Sequence, residues 1–143
     1  MDLYQQIQTN KVNAQKEGNV RLLAALRLMV AEINYAKGNR EVIEDQEVVK
    51  VLRGEAKKRK ESADIYTQIG NKAKADQENY ELEVINAYLP AQMDESKIKA
   101  EIDKIALSSG KRGGPLVGEV MRTLGGQADG GQVKRMVDQY YAK

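Results

Sequence analysis

Apolar residues along this chain recur three and four positions apart, the spacing of one helix face. Leu3, Ile7 and Ala14 set a first stripe after Asp2, and Gly18-Asn19 ends it. Leu22, Leu23, Leu26, Met29, Val30 and Ile33 make a second, which stops near Gly38-Asn39. Asp45 is placed to cap a third helix. Its stripe of Val48, Val49, Leu52, Ala56, Arg59, Ala63, Tyr66 and Ile69 runs to Gly70-Asn71. A fourth helix is predicted from about Asn71 to Tyr88, with Tyr80, Leu82, Val84, Ile85 and Leu89 apolar. Pro90 closes it, because the residue before a proline disfavours the helical region. Gly54 interrupts the third helix at a cost of roughly 1 kcal/mol against Ala; it reads either as a point of close helix contact or as merely tolerated.

Tyr88 to Met93 marks a boundary. After it, Asp94 is a cap for a helix carrying Ile98, Ile102, Ile105 and Ala106. Residues 108–114 (Ser-Ser-Gly-Lys-Arg-Gly-Gly) read as a loop, with Pro115 at the first position of the next helix. Leu116, Val120, Met121 and Leu124 are that helix's stripe, and Gly125-Gly126 closes it. Asp129 with Gln132 reads as a capping box. On the last helix Val133, Met136, Val137 and Tyr140 are expected to face inward. The predicted protein is therefore all-α, with an N-terminal set of long helices over residues 1–90 and a compact three-helix domain over residues 91–143.

Composition sharpens this in three ways. The 143 residues contain seven Tyr but no Phe or Trp, so the core has to be aliphatic. They contain no Cys and no His, which removes disulfides, thiolate chemistry, the usual general base and the commonest metal ligand. No catalytic residue, metal or cofactor is predicted. Neither a secretory signal nor an apolar run of membrane-spanning length appears, so a cytoplasmic protein with no membrane partner is expected. Net charge is only +2. Residues 1–90 carry fourteen basic and fourteen acidic side chains, and residues 91–143 carry nine and seven, so the excess lies in the C-terminal part.

The motifs Tyr88-Leu89-Pro90-x-Gln92, Val117-Gly118-Glu119-Val120-Met121-Arg122 and Gly126-Gln127-Ala128-Asp129 resemble the GatB/YqeY family. The resemblance extends to Leu26-Arg27, the run Lys57-Lys58-Arg59-Lys60-Glu61-Ser62, and Glu81-Leu82, and so covers nearly the whole chain. Stand-alone members of the family have a longer connection before the final Gly-x-Ala-Asp turn. The short connection here is closer to the tail domain of the glutamine-dependent tRNA amidotransferase, with Gly125 where that tail often has Lys. The resemblance implies a link to tRNA-dependent amidation, a carbon–nitrogen ligase activity with glutamine as amido donor. It covers only the tail module of that enzyme, and no nucleophile–base constellation is visible in the chain.

The function expected from this resemblance is an accessory tRNA-binding protein that is not catalytic by itself. Candidate contacts are Lys111, Arg112 and Gly114 at the start of a helix, Arg122, Gln127 in the glycine-rich turn, and Lys134 and Arg135 on the last helix. Free N–H groups at a helix start, glycines and cations all suit a phosphate backbone. The bland alternative for the loop is a connector with solvated charges, and for the glycine turn a tight bend with its cap. Arg53, Lys57 and Lys60 share one face of the third helix. They read mainly as solvated, with Lys57–Glu61 and Lys60–Asp64 pairs at i+4. Arg27 is expected to pair with a carboxylate, and Glu78 with Glu81 is a weak acid/base candidate. An amidotransferase or synthetase-like protein is a further partner implied by the family. An adaptor docking through the long N-terminal helices is the alternative function.

Overall fold

In a computed structural model, which describes residues 1–142, every regular element among those residues is helical. The elements are α1 (Leu3–Glu17), α2 (Val20–Lys37), α3 (Asp45–Gln68), α4 (Lys72–Asn86), α5 (Glu95–Ser109), α6 (Gly113–Leu124) and α7 (Gly130–Tyr140), with a short 3₁₀ turn at Gly125–Gln127. The chain falls into two compact units, one of Met1–Leu89 and one beginning at Pro90.

In the first unit, tight turns fold α1 back on α2 and α3 back on α4. The α1–α2 turn depends on Gly18, whose φ of 71° is a left-handed conformation that closes the helix end; its N–H donates to the carbonyls of Ala14 and Gln15. The core gathers Ile7 and Ala14 from α1, Leu26, Met29, Val30 and Ile33 from α2, Ile43 from the long connection, Val48 and Leu52 from α3, and Ile85 from α4. Its buried side chains are aliphatic apart from Met29, with the partly buried Tyr4 and Tyr88 packed against them. At 24 residues α3 is the longest helix. A Cβ added at Gly54 would meet nothing within 4 Å, so this glycine is tolerated rather than needed for a close contact.

Two caps differ from expectation. Asp45 is the first residue of α3, not its cap: Glu44 holds the cap position and makes no side-chain capping bond. The Asp45 carboxylate instead accepts the N–H of Leu3 at 2.9 Å, tying the start of α1 to the start of α3. Conversely, Asp2 and Gln5 form a full reciprocal capping box at α1.

In the second unit α5, α6 and α7 enclose one core of Ile98, Ile102, Ile105, Ala106, Leu116, Val120, Leu124, Ala128, Val133, Met136 and Val137. Asp94 caps α5 by accepting the N–H of Lys97 at 2.9 Å. Asp129 caps α7 through the N–H of Gln132 at 3.1 Å, and only this arm of the expected box is formed. Tyr140 does not face inward. It is 53% exposed, and Tyr141 packs against the core instead. The inward stripe of α7 ends at Val137, three residues before the position that periodicity alone suggests.

Candidate nucleic-acid interface

The loop between α5 and α6 is shorter than expected. Helix α5 continues to Ser109 and α6 begins at Gly113, leaving Gly110, Lys111 and Arg112 between them. Pro115 is thus the third residue of α6, still in the turn where a missing N–H costs no helical bond. The N–H of Gly113 donates to the carbonyl of Tyr141 at 2.8 Å, and that of Leu116 to Arg112 at 3.4 Å. Pro115 has no N–H, so Gly114, which is exposed, has the one N–H of this turn with no protein acceptor among the described residues. The helix start by itself is therefore a poor cradle for an anion, and binding there has to rest on side-chain charge.

That charge is partly matched. Lys111 Nζ lies 3.2 Å from Glu119 Oε2, and Arg122 donates to the same oxygen through a short contact. Two cations from different elements thus share one carboxylate, leaving this cluster with a net single positive charge. The hydrogen bond from Arg122, and then that from Lys111, hold the Glu119 carboxyl below its ordinary range. Arg112 has a different neighbour. Its guanidinium carbon sits 4.9 Å from the centroid of the Tyr141 ring, and it forms no ion pair among the described residues. An aromatic face holds the group in place without cancelling its charge.

Lys134 and Arg135 are exposed on α7, and neither forms an ion pair among the described residues. They stand apart from the ion pairs that tie Lys111 and Arg122 together. The side chain of Gln127 is exposed, while its carbonyl accepts the N–H of Met93 at 2.8 Å. That bond and the buried Ala128 make the glycine turn part of the scaffold, with one amide side chain outside.

A second cation–aromatic group adjoins Arg112. Lys99 Nζ is 4.4 Å from the Tyr140 ring centroid and bonds Asp103 at 2.5 Å, while the Tyr141 hydroxyl also donates to Asp103. Both bonds hold the Asp103 carboxyl below its ordinary range, Lys99 contributing more. Sequence reasoning alone passes over Lys99, Asp103 and Glu119. Lys99–Asp103 at i, i+4 and Glu119–Arg122 at i, i+3 are visible helical pairings. The meeting of Lys111 with Glu119 needs the loop geometry.

In the first unit the carboxylates Glu78 and Glu81 do have a partner. Arg59 Nη1 reaches an oxygen of each at 3.2 Å. Burial, more than the neighbouring Glu81, raises the Glu78 carboxyl, and Arg59 opposes that rise. Arg59 and Glu81 line a cleft of about 120 Å³ together with Ala25, Leu28, Met29, Glu32, Glu55 and Ile85. Arg59 thus supplies the partner that the sequence does not show for these two carboxylates. Arg27 is exposed and forms no ion pair among the described residues. The expected Lys57–Glu61 and Lys60–Asp64 pairs are likewise absent among them; Lys58 pairs with Glu55 at 3.2 Å. No group of three or more Asp or Glu side chains among the described residues is arranged to hold a metal ion. No helix among them is long and apolar enough to cross a membrane.

The family model described as Yqey-like protein matches residues 4–141. No curated protein matches the chain.

Proposed function

The chain belongs to the Yqey-like protein family, and from that premise we propose that it is an accessory tRNA-binding protein whose second unit grips the phosphate backbone. The observation that carries this reading is the charge balance of the candidate contacts. Lys111, Arg112, Arg122, Lys134 and Arg135 are opposed by one engaged carboxylate, Glu119. The resemblance of the motifs around Val117–Arg122 and Gly126–Asp129 to the amidotransferase tail names tRNA as the polyanion. Binding proceeds by shape and charge, with Gly114 and Gln127 offering single hydrogen bonds beside the cations.

The protein acts without catalysing amidation by itself. The chain has neither Cys nor His, and its paired carboxylates Glu78 and Glu81 are held by Arg59. Its contribution to any carbon–nitrogen ligation is to hold tRNA for a partner enzyme in the cytoplasm. Four net cations predict a log–log salt slope of about −3 for RNA affinity. The test is filter retention of tRNA by the wild type and by a variant with Lys111, Arg112, Lys134 and Arg135 changed to Ala. Weak or absent binding by the variant beside clear binding by the wild type supports the proposal; equal retention refutes it.

One observation favours docking through the long helices as a second reading. On α2, Leu28 is 54% exposed and Tyr35 is 88% exposed, on the helix that helps line the Arg59 cleft. Seven positions apart, the two lie near one face of the helix, which offers apolar surface to a protein partner. This reading predicts that a protein co-purifies with the chain after ribonuclease treatment and is lost on Leu28→Asp with Tyr35→Asp.

A further inference from the structure

We infer that the second unit stacks an unpaired base of its bound RNA on the ring of Tyr140, an inference that rests on the RNA-binding reading above. The sequence pattern assigns Tyr140 to the core face of α7, yet it stands outside with more than half its surface exposed. The backbone beside it is held. The N–H of Tyr141 donates to Val137 at 2.6 Å, and the carbonyl of Tyr141 accepts the N–H of Gly113 at 2.8 Å. The Tyr141 ring packs on the core while its hydroxyl donates to Asp103. A ring presented on a fixed stem loses little freedom when a ligand covers it.

The surroundings are those of a single-strand binding surface, where aromatic rings take bases and cations take the phosphates between them. Lys99, paired with Asp103, lies 4.4 Å from the Tyr140 centroid and 5.6 Å from that of Tyr141, while Arg112, 4.9 Å from the latter and in no ion pair among the described residues, is the cation left for a phosphate. The same Arg112 belongs to the proposed phosphate contacts and packs on Tyr141, the residue next to Tyr140, so a strand bound at Arg112 has the exposed ring as a neighbour. A base stacking on the exposed part of the ring needs no sequence-specific partner, because every base has a π-face.

The chain contains no Trp, so Tyr140→Trp introduces a single indole reporter. The full chain carrying it is titrated with a blunt RNA duplex, with the same duplex bearing a short single-stranded 3′ overhang, and with a mononucleotide. Binding of both duplexes by the unaltered chain and by Tyr140→Leu is measured in parallel. The expected result is indole quenching by the overhang RNA, and about tenfold tighter binding of it than of the blunt duplex. Tyr140→Leu should lose that margin and keep its duplex affinity. Equal affinity for both duplexes without quenching overturns base stacking while leaving phosphate binding intact. Quenching by the mononucleotide as strong as by the overhang RNA overturns it in favour of a free-nucleotide site. Failure of every RNA to bind removes both readings.

Discussion

Replacing Glu119 by Gln should tighten RNA binding. The side chain keeps its size but loses the charge that Lys111 and Arg122 share. The cluster then changes from one net positive charge to two, and one more phosphate is neutralised on binding. The slope of log affinity against log salt should steepen by about 0.8, because each neutralised phosphate releases condensed counterions. With unchanged affinity extrapolated to 1 M salt, the variant binds about tenfold more tightly at about 50 mM and about fourfold at about 200 mM. Fluorescence anisotropy of a labelled tRNA across that salt range measures both quantities. Exposed ion pairs contribute little to stability, so Tm should stay near that of the wild type. Weaker binding, or an unchanged slope with a normal Tm, would refute the idea that Glu119 holds back cations used on RNA.

Three stability predictions follow from the packing. Gly54 is exposed, helical and free of neighbours, so Gly54→Ala should stabilise by about 0.5–1 kcal/mol; a fall in urea midpoint would show a contact at that position. Leu116 is fully buried in the second unit, and Leu116→Ala should cost about 2–5 kcal/mol. Hydrogen exchange should then show loss of protection in α5–α7 with α1–α4 unchanged, and uniform loss across the chain would mean that the two units fold as one. Burial raises the Glu78 carboxyl above its ordinary range. A group with a raised folded value favours the fold most below its unfolded value, and that contribution disappears as pH rises through the folded one. Glu78→Gln, which imitates the protonated form at every pH, should therefore gain Tm relative to wild type as pH rises from the acid side of the carboxylate range to neutrality, and a relative loss would contradict the sign.

The helices were legible because their information is local. Stripes such as Leu26, Met29, Val30 and Ile33 and terminators such as Gly18 and Pro90 state a helix and its end within a few residues. What stayed hidden depends on contacts across the chain. Asp45 looks like a cap from its neighbours, but the Leu3 N–H that it accepts is forty-two positions away. Tyr140 fits the inward stripe, but its burial depends on where the bundle ends, and the core takes Tyr141 in its place. At the candidate interface the cations and the Glu119–Arg122 pairing could be named from the sequence, but the sharing of that one carboxylate with Lys111 could not. Lys111 meets that carboxylate from the loop joining α5 to α6, eight positions away in the sequence.

The most direct test of RNA binding by the second unit is an amide chemical-shift map of the labelled chain titrated with tRNA at low salt. The largest changes should fall at Lys111, Arg112, Gly114, Arg122, Gln127, Lys134 and Arg135, with α1–α4 nearly unmoved. Changes concentrated around the Arg59 cleft, or a spectrum indifferent to tRNA, would contradict that binding mode.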